Sequence, residues 1–173
     1  WREVLRQDIQ SMIKSDYSFV RPNKKAMQSG FTIPGMKRDQ ALSIAVAVDC
    51  SGSIDDVVAG VFLSEVAGIM EQYDDYEIHM FCFDTGVYNP QTFLTDEGED
   101  IRTYKIKGGG GTSFECCWEY LKEIDMIPTT FLMLTDMQPN NGWGDPDYCP
   151  TIFAGYHSNG IIAPFGTTIT IDD

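Results

Sequence analysis

Three short runs of this chain, ALSIAVAVD (41–49), EIHMFCFD (77–84) and TTFLMLTD (129–136), are largely apolar on both of their alternating faces. A strand buried on two sides belongs inside a sheet covered by helices, as in parallel α/β architecture. The segments between them change period. Over 54–73, Ile54, Val58, Val61, Phe62, Val66, Ile69, Met70 and Tyr73 recur at helical spacing. Gly60, Ser64 and Gly68 form a small-residue stripe there, expected to bring the helix close to the sheet. After GGGGTS (108–113), Phe114, Cys117, Trp118, Leu121 and Ile124 predict a second helix, closed by Pro128. Tyr88–Leu94 follows the second apolar run. RTYKIK (102–107) sets Lys105 and Lys107 on one face and reads as an edge strand whose charges discourage pairing. TIFAGY and TTITID read as final strands. The expected fold is an α/β, doubly wound, mostly parallel open sheet with one antiparallel edge strand. In such sheets ligands bind outside the carboxyl ends of the strands, near the switch point.

At the amino end, Trp1, Leu5, Ile9 and Met12 predict a helix over 1–13, and the irregular DYSFVRPNKKAMQSGFTIPG follows. We therefore divide the chain into a helical extension and connector, 1–39, and a main domain, 40–173. Charges from the second residue onward argue against a secretion signal, and a first residue other than Met leads us to expect a longer polypeptide upstream. No apolar run approaches the roughly 20 residues that span a bilayer. The five cysteines are odd in number and form no C-x-x-C pair, a poor disulfide framework and a poor zinc site. Reduced, buried thiols in a cytoplasmic protein are expected. Net charge is −14, but residues 1–38 carry +5 and the remainder, with 4 basic and 23 acidic residues, carries −19. Such a body repels nucleic acid and anionic membranes and concentrates cations. The basic arm is expected to lie on it.

Three segments at strand or helix ends are rich in oxygen donors: Asp49-Cys50-Ser51-Gly52-Ser53, Gly111-Thr112, and Thr135-Asp136. In the expected fold all three meet at one rim. Ser51, Ser53 and Thr112 offer neutral hydroxyl oxygens, and Asp49 and Asp136 offer negative charge. That chemistry suits a hard cation, Mg2+ or else Mn2+ or Ca2+. A site dominated by neutral oxygens also leaves the cation able to take an anionic ligand from outside. Ser53-x-x-Asp56 and Thr112-x-x-Glu115 equally match the capping box that begins a helix. Each alone reads as a cap. The metal reading rests on three motifs in order. Catalysis has less support: H-E-x-x-H is absent, His79 and His157 are far apart, and Ser51 is not in a G-x-S-x-G elbow. No catalytic residue is assigned. The alternatives are a metal-assisted hydrolase at the Asp49–Ser53 loop or a peptidase whose catalytic residues lie upstream.

Asp49-x-Ser51-x-Ser53, Thr112 and Asp136 together resemble the metal-ion-dependent adhesion site of von Willebrand factor A (VWA) domains, over roughly residues 40–173. The resemblance implies that the serines and the threonine bind the metal directly, that the aspartates often act through water, and that a partner's Asp or Glu completes the coordination. WREVLRQ, DYSFVRPNKK, IPG and the closing APFGTTITID are similar to a bacterial and phage subfamily in which this domain follows a predicted zincin-like metallopeptidase half. That subfamily is associated with MoxR-type AAA+ ATPases. The implied partner is therefore such an ATPase or the upstream domain of the same chain. Met137 stands where many relatives have glycine after the aspartate.

Overall fold

The computed structural model describes residues 1–18, 42–52 and 54–171. The connector expected beyond α1, over 19–41, and Ser53 lie outside them. The elements are helix α1 (Arg2–Ser18), strand β1 (Leu42–Asp49), helix α2 (Asp56–Met70), strands β2 (Tyr76–Phe83) and β3 (Val87–Leu94), helix α3 (Glu115–Glu123), and strands β4 (Thr130–Thr135), β5 (Thr151–Tyr156) and β6 (Thr167–Ile171). They build one six-stranded sheet in the order β3-β2-β1-β4-β5-β6. All neighbouring pairs are parallel except β2–β3, so β3 is the antiparallel edge strand.

Alternation along β1 explains the two-faced core. Ile44, Val46 and Val48 join one apolar layer with Leu5, Ile9 and Ile13 of α1 and Phe62, Val66 and Ile69 of α2. Ala45 and Ala47 point the other way, into a layer dominated by Phe81, Phe83, Phe114, Trp118, Phe131 and Phe153. Alanine on that face of the central strand leaves room for aromatic rings packed edge to face, such as Trp118 on Phe131 at 5.1 Å. Helix α1 is thus part of the packed core, and Arg2 pairs with Glu65 of α2 at 3.2 Å.

Two expectations are overturned. The segment 102–107 is not a strand: a 3-10 turn occupies Ile101–Thr103 and the chain then runs without a ladder. Ile101 and Tyr104, three apart as that turn requires, are both buried. Tyr104 Oη donates to Asn89 O at 2.7 Å, holding the segment against β3 by side chains. The Gly60-Ser64-Gly68 stripe does not face the sheet either. The buried face of α2 is Ala59, Phe62, Leu63, Val66, Ala67, Ile69 and Met70, and a Cβ at Gly60 or Gly68 would meet nothing within 4 Å. Burial of large apolar side chains decides which face turns inward, and the small residues are left outside.

Candidate metal centre

The strand order reverses between β1 and β4, and Asp49, Ser51 and Asp136 lie at or just beyond the carboxyl ends of those two strands. Asp49 ends β1 and is fully buried. Its Oδ1 accepts from Ser51 N–H at 2.8 Å, and its Oδ2 accepts from Thr135 Oγ1 of β4 at 2.8 Å. Burial raises the Asp49 carboxyl above the usual carboxylate range, against the opposing hydrogen bonds from Ser51 and Thr135; the negative charge of Asp136 adds to the rise. No Lys or Arg pairs with Asp49 among the described residues. Asp136 begins the loop after β4, its Oδ1 accepting from Gln138 N–H at 3.1 Å.

Thr112, also buried, reaches the same rim from the glycine loop. Its carbonyl accepts from Asn140 N–H at 2.8 Å, and the next amide, Ser113 N–H, donates to Asp84 O at 2.6 Å. The loop lies too close to its neighbours for side chains: a Cβ on Gly110 would sit 2.8 Å from Asp84 Oδ2, and one on Gly111 2.7 Å from Asn140 Nδ2. Asn141 Nδ2 donates to Ser113 Oγ at 3.0 Å and Glu115 Oε2 at 3.3 Å, latching the loop after β4 to the start of α3. Asp49, Ser51 and Asp136 thus lie at the ends of β1 and β4, and Thr112 is tied to the loop that follows Asp136. Ser53 lies outside the described residues.

The capping alternative does not hold where it can be followed. Helix α2 is capped by Asp55, whose Oδ1 accepts from Val58 N–H at 2.8 Å. Helix α3 has Phe114 at its cap position with no side-chain hydrogen bond, so the Thr112–Glu115 box is not formed. Among the described residues, no group of three His, Cys, Asp or Glu side chains is placed to hold a metal. The donors here are hydroxyls and two aspartates. They fit a hard cation, because a buried carboxylate beside a second negative charge, with only neutral donors for company, leaves positive charge to be supplied.

Asp84 was not among the candidates. It closes the second apolar run as Asp49 closes the first, which was the available signal. Burial pushes its carboxyl up, but N–H donation from Gly86 and Thr85 outweighs this and holds it below the usual range. Its contacts make it a pin for the glycine loop. Cys50 serves the same loop, with Sγ donating to Lys107 O at 3.0 Å. All five cysteines are free, and only Cys116 is not buried. Trp143 packs on Phe114 and Phe153, and Tyr148 Oη donates to Met126 O at 2.7 Å. His79 is held between Thr92 Oγ1 and Tyr120 Oη, each at 2.8 Å, within the sheet.

Strand order, edge strand and helices on both faces define a VWA-like α/β domain. The model of the VWA-like domain family DUF2201 matches residues 44–172, and the chain belongs to that family. No curated protein matches the sequence. Among solved structures it is similar to the ArnB paralog VWA2 from Sulfolobus acidocaldarius, with 18% identity and a TM-score of 0.48 over 68% of this chain and 36% of that one. It is also similar to an aerotolerance-related membrane protein from Bacteroides fragilis NCTC 9343, solved with multiple mutations to serines. There the identity is 12% and the TM-score 0.46, over 66% of this chain and 67% of that one. The chain thus spans about a third of the Sulfolobus chain. No helix among the described residues is long and apolar enough to cross a membrane.

Proposed function

We propose that this domain is a protein-binding module whose recognition of a partner carboxylate depends on a divalent cation held at the β1–β4 rim. The observation that carries the reading is Asp49: fully buried, bonded only to neutral donors, and beside a second negative charge at the switch point of the sheet. Ser51, Ser53 and Thr112 would hold the ion through hydroxyl oxygens, with Asp49 and Asp136 supplying charge. Mg2+ is the expected ion, and Mn2+ and Ca2+ are hard alternatives. Held there, the ion would supply positive charge to attract and bind an Asp or Glu carboxylate of another protein. Asp49 orients Ser51 through its backbone, Thr135 fixes the Asp49 carboxylate, and Asn140 and Asn141 hold the Thr112 loop. The subfamily resemblance supports a MoxR-type AAA+ ATPase, or a metallopeptidase-like half upstream, as the source of that carboxylate.

The test is a titration of the EDTA-stripped chain with Mg2+, Mn2+ and Ca2+, followed by melting temperature. An ion binding only the folded state stabilises it by about 2.7 kcal/mol at a hundredfold over its dissociation constant. For a chain of this size that is a rise on the order of 5–10 °C. Asp49→Ala should abolish it. No rise with any of the three ions, or an equal rise in the variant, would overturn the reading.

A further inference from the structure

Beyond Arg2, Arg6 and Lys14 of α1, the described residues hold only four cationic side chains, in a body that is otherwise strongly acidic. Two of the four are spent locally: Arg102 pairs with Glu71 and Asp100 at 2.8 and 3.0 Å, and Lys122 pairs with Asp145 at 2.7 Å. The other two, Lys105 and Lys107, form no ion pair among the described residues, and both line a groove of about 540 Å3 beside the edge strand. Ile106 between them packs against the core, which turns the exposed lysines outward. Asn89, Gln91 and Phe93 of β3 form the opposite wall. Two acids also border the groove: Asp100, tied to Arg102 and to the 3-10 turn, and Glu99. Immediately after Lys107 the chain enters the exposed glycine loop, which ends at Thr112 on the candidate metal rim.

We infer that this groove receives an extended acidic segment of the partner, running from Lys105 and Lys107 along the glycine loop so that one of its carboxylates arrives at the rim. The inference rests on the cation-dependent reading above and adds the partner's chemistry: a short run of several Asp or Glu residues rather than a single one. Charge complementarity decides for this occupant. The two lysines and the rim cation form a positive track on a surface that elsewhere repels acidic chains. Asn89 Nδ2 donates to Lys105 O at 3.1 Å and Asn89 Oδ1 accepts from Gln91 Nε2 at 3.4 Å, which leaves Gln91 Oε1 to accept from the backbone an extended segment presents along a sheet edge.

The probe is a fluorescein-labelled hexaglutamate peptide, with hexaglutamine as its neutral counterpart, titrated by anisotropy against the full chain in Mg2+. Hexaglutamate should bind and hexaglutamine should not. Lys105→Glu/Lys107→Glu should weaken hexaglutamate binding at least tenfold, while Glu99→Lys should tighten it several-fold. Lys14→Glu/Lys122→Glu, the same change in net charge at two exposed positions outside the groove lining, should weaken it by no more than about twofold. The Mg2+-induced rise in melting temperature, measured on each variant, should stay at the wild-type value. Equal peptide affinity in the two double variants would overturn the groove even if Mg2+ stabilises both. If Mg2+ stabilises nothing and hexaglutamate binding is unchanged in EDTA but still lost with the lysines, the cation reading falls and the groove stands.

Discussion

Asp49 is the residue where folding and binding pull apart. Its carboxyl titrates above the unfolded value because it is buried, so the folded, metal-free chain takes up a proton more readily than the unfolded one. The resulting cost is fully present above the folded pKa, shrinks as pH falls below it, and is gone once pH lies below the unfolded pKa. Asp49→Asn keeps an acceptor for Ser51 N–H, and its new amide can donate to Thr135 Oγ1, which already accepts from Met137 N–H at 3.2 Å and has a second lone pair to offer. In EDTA at pH 7 that variant should melt above the wild type, and melts between about pH 7 and pH 4 should show the gap closing. It should gain nothing from any metal. The places of Asp49, Ser51, Thr112 and Asp136 in the fold were legible because each lies beside an unmistakable strand end or glycine run. Asp84 sits at an equally clear strand end, but its part in holding the glycine loop depends on distances that periodicity does not encode. Met137 takes a φ of 66°, in the left-handed region that favours glycine, and buries its side chain there.

At the scale of elements, the central strands could be read because both faces of each are apolar. The orientation of α2 could not. Apolar residues recur around so much of that helix that the glycine stripe seemed a plausible contact face, and only the packed sheet shows it pointing away. The correction has a consequence. Gly60 and Gly68 lie inside a helix with ordinary φ and open space at Cβ, so Gly60→Ala and Gly68→Ala should each stabilise the domain by about 0.5–1 kcal/mol, measured by urea denaturation. Had the stripe faced the sheet, both would destabilise it. The 102–107 segment misled for a different reason: alternating lysines look like a strand's outer face, yet the Ile101–Tyr104 spacing belongs to a 3-10 turn. The Asn141 latch was not legible at all, since a loop's partners are set by tertiary closure. Asn141→Ala removes two side-chain bonds and should speed hydrogen exchange at the 113–117 amides by several-fold in EDTA while lowering stability by about 1 kcal/mol.

Across the whole molecule, α1 is more than an appendage. Leu5, Ile9 and Ile13 are buried in the same layer as the inner faces of β1 and α2, though the family match begins only at residue 44. Ile9→Ala should therefore cost about 2–5 kcal/mol in chemical denaturation, the range of a true core position, rather than the few tenths expected of a surface helix. The amphipathic stripe in the first thirteen residues announced a helix with one buried side. It did not identify the surface that side would cover, because that is decided by which sheet face α2 leaves open. The acidic excess was plain from composition, but the placing of Lys105 and Lys107 on one groove required the fold.

The latch between Asn141 and the start of α3 and the bond from Thr135 to Asp49 are both made by the chain's own side chains. An ion arriving at this rim would meet loops whose conformational entropy has largely been surrendered during folding. Its capture would bury little apolar surface, so calorimetry across temperature should find a heat-capacity change of binding close to zero. The heat capacity should then drop only when a second macromolecule docks.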